Sequence, residues 1–239
     1  MHSPLQPTHQ PLQSTHQPLP TPDKQIHIDV LAELDWDTRV KHADLGVRVE
    51  RGLVTLTGRV ASWAEKIAAQ EAAHRVAGVL DVANDLAVEV PAGAVRQDTE
   101  IAKSVRAMLS SSVLVPHERI RTTASGGVVT LEGTVDHWAE YDDAARIVRH
   151  VGGVREVINR IEVEARAIAP DVVRRAIEAA LTRHVMRAAQ HVCIEVTDGR
   201  VTLSGAVPSW VERKAVVGAV MGTPGVRAIE DRLNIRVIA

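Results

Sequence analysis

The chain of 239 residues contains no phenylalanine, one tyrosine and four tryptophans, so aromatic rings do not build its core. Hydrophobic content is still 45%, ordinary for a globular protein, and the burden falls on Val, Ala, Leu and Ile. The lone cysteine, Cys193, excludes an internal disulfide and fits a reducing compartment. No uninterrupted apolar run approaches the roughly 20 residues that a helix needs to span a bilayer. Acidic and basic residues nearly cancel, 30 against 28, so there is no global positive field and nucleic acid is not expected as a partner. The first residues lack a basic segment followed by an apolar one, so no secretory leader is expected and the location read from this is cytoplasmic. The local patterns of catalysis are missing as well: no G-x-S-x-G, C-x-x-C, H-E-x-x-H or Walker run occurs. Neither an enzyme, a cofactor nor a metal site is expected.

Residues 1–22 hold six of the eleven prolines and read as a disordered Pro/His/Gln-rich tail. His2, His9 and His16 recur there every seven residues. Flexible imidazoles without fixed geometry make a weak metal site, so none is assigned.

The rest of the chain is repetitive. Gly52-Leu-Val-Thr-Leu-Thr-Gly58 returns as Gly127-Val-Val-Thr-Leu-Glu-Gly133 and as Gly199-Arg-Val-Thr-Leu-Ser-Gly205. A tryptophan follows each second glycine at one offset (Trp63, Trp138, Trp210). A Gly-Val pair then recurs (Gly78-Val79, Gly153-Val154, Gly225-Val226), trailed by Asn84, Asn159 and Asp231. Such recurrence marks three copies of one unit. Three modules are expected, at 23–91, 97–165 and 169–239.

Each copy predicts the order αββαβ. A first helix covers residues 23–34, 98–109 and 170–187. Alternating apolar residues then mark a strand (Leu45, Val47, Val49; Ile120, Thr122; Val192, Ile194, Val196). A tight hairpin follows, with Asp198-Gly199 its clearest signal. In the second strand Val54, Leu56, Gly58 and Val60 share one face, and the other copies keep this parity. Ser62 with Glu65, and Ser209 with Glu212, are capping-box pairs that open the second helix; in the middle copy Asp136 or His137 takes that place. Its buried stripe is Ala69, Ala72, Ala73, Val76, repeated as Ala144, Ile147, Val148, Val151 and as Val216, Ala219, Val220, Thr223. A third strand closes the unit, parallel to the second or separated from it, because a helix makes the crossover. The fold class is α+β, each module a three-stranded mixed sheet packed by two helices. Modules this small are marginal alone, so neighbours are expected to touch and to cover part of one another's open sheet face or edge.

The pattern Gly-x-Val-Thr-Leu-x-Gly-x-Val, followed by a helix that ends in Gly-Val-x-x-Val-x-Asn, resembles the BON domain, a family named after bacterial osmotically inducible and nodulation proteins. The resemblance covers everything beyond the tail. It implies the αββαβ fold and no catalysis. It also implies roles in osmotic stress, envelope maintenance and phospholipid binding, with potassium binding in some members and a periplasmic location as the alternative to the cytoplasm.

Candidate residues follow. Gly58, Gly133 and Gly205 are expected to be structural, on a strand face where a side chain would meet the packed helix. Gly78, Gly153 and Gly225 are expected to serve as left-handed caps past a helix. Trp63, Trp138 and Trp210 either anchor the second helix to the sheet or to the next module, or act as interfacial tryptophans toward lipid or a partner. Trp36 has no counterpart and is expected to pack locally. Formal charge rises along the chain, from −3 over residues 24–91 through −1 over 92–168 to +3 over 169–239. The third module is therefore the candidate for an anionic partner. Its first helix carries Arg174, Arg175, Arg183 and Arg187 beside Val173, Ile177, Leu181 and Met186, either as a basic amphipathic helix on an anionic membrane or as a solvated face over a core stripe. A protein partner, self-association through sheet edges, and ion sensing by backbone carbonyls are the other readings. His42, His117 and His191 are read as surface residues.

Overall fold

A computed structural model describes residues 22–41, 44–184 and 192–236. Residues 1–21 of the expected tail, His42, Met186, Arg187 and His191 lie outside the described residues, whereas Pro22, expected in the tail, opens the first helix. The first module runs α1 (Pro22–Trp36), β1 (Leu45–Glu50), β2 (Leu53–Val60), α2 (Trp63–Arg75) and β3 (Asp81–Val88). The second repeats this as α3 (Asp98–Ser111), β4 (Ile120–Ser125), β5 (Val128–Val135), α4 (Trp138–Val148) and β6 (Glu156–Val163). The third is α5 (Pro170–His184), β7 (Val192–Thr197), β8 (Arg200–Val207), α6 (Trp210–Met221) and β9 (Ala228–Ile235).

Each sheet has three strands in sequence order, the first pair antiparallel and the second parallel. The expected crossover thus brings the third strand directly beside the second. Two-residue hairpins join the antiparallel strands. Both turn residues have positive φ in every copy: Arg51 (52°) and Gly52 (78°), Gly126 (59°) and Gly127 (82°), Asp198 (49°) and Gly199 (78°). This is the turn whose twist matches that of paired strands.

Each module owns a separate core. In the first, Ile26, Val30 and Leu34 of α1 and Ala69, Ala72 and Ala73 of α2 close over Val54, Leu56 and Val60 of β2. Alanine stripes let α2 approach the sheet closely, which is how a core without phenylalanine fills its space. Fully burying each Leu, Ile or Val contributes about 1.5–3 kcal/mol. Capping follows the sequence: the Ser62 hydroxyl accepts from Glu65 N at 3.2 Å and Ser209 from Glu212 N at 3.3 Å. In the middle copy the Glu140 carboxylate accepts from the backbones of Asp136 (2.9 Å) and His137 (3.1 Å).

Three expectations change in detail. Gly58 has φ +117°, and a Cβ there would lie 2.1 Å from the carbonyl oxygen of Asp44; at Gly133 the intruding atom is Arg119 O at 2.0 Å. The obstacle is the backbone entering the first strand, not the packed helix. Gly78, Gly153 and Gly225 are left-handed as expected, at +86°, +89° and +89°. Gly78, however, sits beyond the cap residue Val76, in the turn that leads to the third strand. Trp36 does not pack: it ends α1 and is 82% exposed.

Candidate functional site

The second helices bring the modules together. Trp63, the first residue of α2, is half-buried and packs against the core of the second module. Trp210, the first residue of α6, packs against the core of the first. Its indole stacks on His74, ring centroids 3.9 Å apart, and the Arg213 guanidinium lies 4.4 Å from the ring centre. Trp138 stacks on Tyr141 of its own module at 4.7 Å. Modules therefore meet through helix ends and indoles rather than over open sheet faces.

An ionic cluster joins all three modules at this junction. The Glu71 carboxylate accepts from Arg39 of the first module (3.1 Å) and Arg149 of the second (3.3 Å), and Lys214 of the third lies 4.0 Å away. Burial raises the Glu71 pKa, but Lys214, Arg39 and Arg149 outweigh it and the net direction is down. Asp37 sits between Arg39 and Arg75, each 2.7–2.8 Å away, and the hydrogen bond from Arg39 chiefly holds its carboxyl well below the usual range. His74 is pushed down to about 4, first by burial, with Arg213 and Lys214 opposing Asp81 and Glu71. No hydrogen-bond partner reaches its Nε2, nor the buried indole N–H groups of Trp138 and Trp210, among the described residues.

The cation over the indole recurs, with Lys66 5.7 Å from the Trp63 ring centre as Arg213 is near Trp210, but Glu71 and His74 do not recur between modules. The positions equivalent to Glu71 are Arg146 and Gly218, and those equivalent to His74 are Arg149 and Met221. The repeat reading missed them because it searched for sameness. The only available signal was the opposite: unlike charges on otherwise matching helices.

The basic face of α5 is separate from the junction. Val173, Ile177 and Leu181 are buried in the third core, so the apolar stripe is consumed within its own module. Arg174, Arg175 and Arg183 are exposed but on different flanks: Arg174 beside Ile194 and Val196 of β7, Arg183 beside Ala215 and Gly218 of α6. Arg175 pairs with Asp171 at 2.8 Å, whereas Arg174 and Arg183 make no ion pair among the described residues. The helix thus offers cations outward on more than one flank, with Val172 exposed on the same helix. No group of three or more His, Cys, Asp or Glu is placed to hold a metal ion among the described residues, and no helix among them is long and apolar enough to cross a membrane.

A family model described as the BON domain matches residues 22–90, 97–165 and 171–237. The osmotically-inducible protein Y of Escherichia coli (strain K12) is 33% identical over 146 residues, 59% of this chain and 73% of that protein. An uncharacterized protein in the gshII 5′ region of Anaplasma centrale is 29% identical over 125 residues, 51% of this chain and 83% of that protein. Among solved structures, CdsD, a structural protein of the type III secretion system of Chlamydia trachomatis, aligns with 89% of this chain and 92% of its own at 14% identity and a TM-score of 0.26.

Proposed function

The chain belongs to the BON domain family, with three domains in tandem, and from that premise we propose a non-enzymatic, stress-associated binding protein whose third domain docks on anionic phospholipid surfaces. The stress association rests on likeness to a protein named for osmotic induction. The lipid reading is carried by one observation: Arg174 and Arg183 stand exposed on α5 and make no ion pair among the described residues, in the domain with the positive balance. Because the apolar stripe of α5 is buried, contact is electrostatic and superficial. Each cation near an anionic surface contributes about 1 kcal/mol, and the attraction fades within a Debye length of about 8 Å at physiological salt. Binding is therefore reversible and salt-sensitive.

Co-sedimentation with anionic and neutral liposomes at two ionic strengths tests this. Binding to anionic vesicles alone, weakened by salt and lost in the triple variant Arg174→Glu, Arg183→Glu, Arg187→Glu, is the expected result. Equal pelleting with neutral vesicles, or none at low salt, overturns it.

A further inference from the structure

The contact between the first and third modules rests on an uncharged histidine. Trp210 of α6 packs against the first core and stacks on His74 near the end of α2, ring centroids 3.9 Å apart. The two modules are not consecutive in the chain, so this packing, and not a linker, holds one against the other. The other ionic link between them is weak: Lys214 lies 4.0 Å from Glu71 and its side chain is 81% exposed. The stack buries the His74 Nε2 atom, and no hydrogen-bond partner reaches it among the described residues. A neutral ring presents a bare nitrogen there at modest cost. A protonated ring carries a buried N–H and a positive charge with no acceptor, which costs far more.

The surroundings do not compensate that charge. Facing His74 are Arg213 and Lys214 of α6, Glu71 of its own helix and Asp81 of β3. Glu71 is engaged by Arg39 and Arg149. Asp81 accepts from the Val82 N–H at 2.8 Å. The indole face is taken as well, since the Arg213 guanidinium lies 4.4 Å from the ring centre. His150, the other histidine near the cluster, faces Arg149, Arg39 and Glu71. The second module fills the same position differently: Arg149 stands where His74 does, and its guanidinium reaches the Glu71 carboxylate. That cation has its counter-charge built in, and the His74 ring has none.

We propose that the packing of the third module on the first is a reversible acid clasp: protonation of His74 parts α6 from α2 and lets the third module move away while every module stays folded. Once the stack opens, water reaches Nε2 and the ring regains its ordinary affinity for a proton. The closed form binds that proton near pH 4, the open form near 6.5. Acid therefore favours the open form, beginning below pH 6.5 and completing near 4, and raises the ratio of open to closed by up to about three hundredfold. This proposal is independent of the lipid reading, since α5 takes no part in the stack.

The test measures one distance in the full chain. Spin labels are placed on Cys193, which is exposed on β7, and on the exposed face of β1 through Arg48→Cys. Pulsed electron paramagnetic resonance reports the separation of the two sheets from about pH 7 to about pH 3.5, with circular dichroism at each step. The expected result is one narrow distance at neutral pH and a second, broader population that grows as pH falls from 6.5 toward 4. That population disappears on return to neutral pH, and circular dichroism stays unchanged throughout. His74→Phe keeps the stack but binds no proton, and is expected to hold the narrow distance at every pH. Two results overturn the proposal without any variant at His74: a distance that stays fixed down to about pH 3.5, or one that changes only as the helical signal is lost. The same change in His74→Phe overturns it as well.

Discussion

Arg213 and Asp231 are joined by a 2.7 Å bond from Nε to Oδ2, and this ion pair replaces a backbone contact that the other two modules make. There an asparagine on the third strand donates to a helix carbonyl: Asn84 to Lys66 O at 2.9 Å and Asn159 to Tyr141 O at 2.8 Å. A carboxylate cannot donate to a carbonyl, so the third module supplies a cation at the facing position. Both solutions keep the second acceptor role: Asn84, Asn159 and Asp231 each accept from the backbone N–H two residues on.

This equivalence predicts an unequal pair of substitutions. Asp231→Asn restores the donor found in the other modules and is expected to cost under about 1 kcal/mol. Asp231→Ala strands the half-buried guanidinium of Arg213 and is expected to cost about 1–3 kcal/mol. Urea denaturation of both variants measures the difference.

The stack of His74 on Trp210 is expected to respond to acid. The folded-state pKa of His74 lies near 4, below the ordinary 6.5, so the neutral ring is the one the fold accepts. A depressed histidine contributes its full stability above pH about 6.5 and loses it as pH falls toward 4, because the unfolded chain takes up the proton first. Denaturation midpoints should fall across that window, Trp210 emission of the folded protein should change as pH passes through about 4, and His74→Phe should flatten both while keeping the ring contact. A profile identical in the variant sinks this assignment.

Two glycines should behave oppositely. Gly58→Ala forces a side chain onto the Asp44 carbonyl at a left-handed position and is expected to cost on the order of 3 kcal/mol. Gly218, inside α6, has open space where a Cβ would sit. Gly218→Ala is expected to stabilise by about 0.5–1 kcal/mol through helix propensity alone. Thermal melts of the two variants provide the check.

Glu71→Gln is expected to loosen the junction more than it destabilises any one module. The pairs are partly exposed, so each contributes no more than about 1 kcal/mol. Trypsin should then cut sooner after Arg96 and Arg166, in the linkers, while circular dichroism stays unchanged. A double-mutant cycle with Arg149→Met should return a coupling of about 0.5–1 kcal/mol.

The sequence by itself determined the module: its element order, the parity of its strands, its hairpins and its helix caps. These are local or periodic features, set by spacing of apolar residues and by the backbone needs of glycine and serine, and three copies state them three times. The structure decided what local pattern does not encode. The obstacle at Gly58 is the Asp44 carbonyl, which lies fourteen residues back in sequence, and nothing in residue identity distinguishes it from a helix. The solvent exposure of Trp36 depends on which surface its neighbours leave open. Above all, the junction of Glu71, Arg39, Arg149 and Lys214 joins residues up to 175 positions apart, chosen by how three separately folded modules pack. Repetition makes the modules legible because it repeats, whereas their assembly rests on the places where the copies differ.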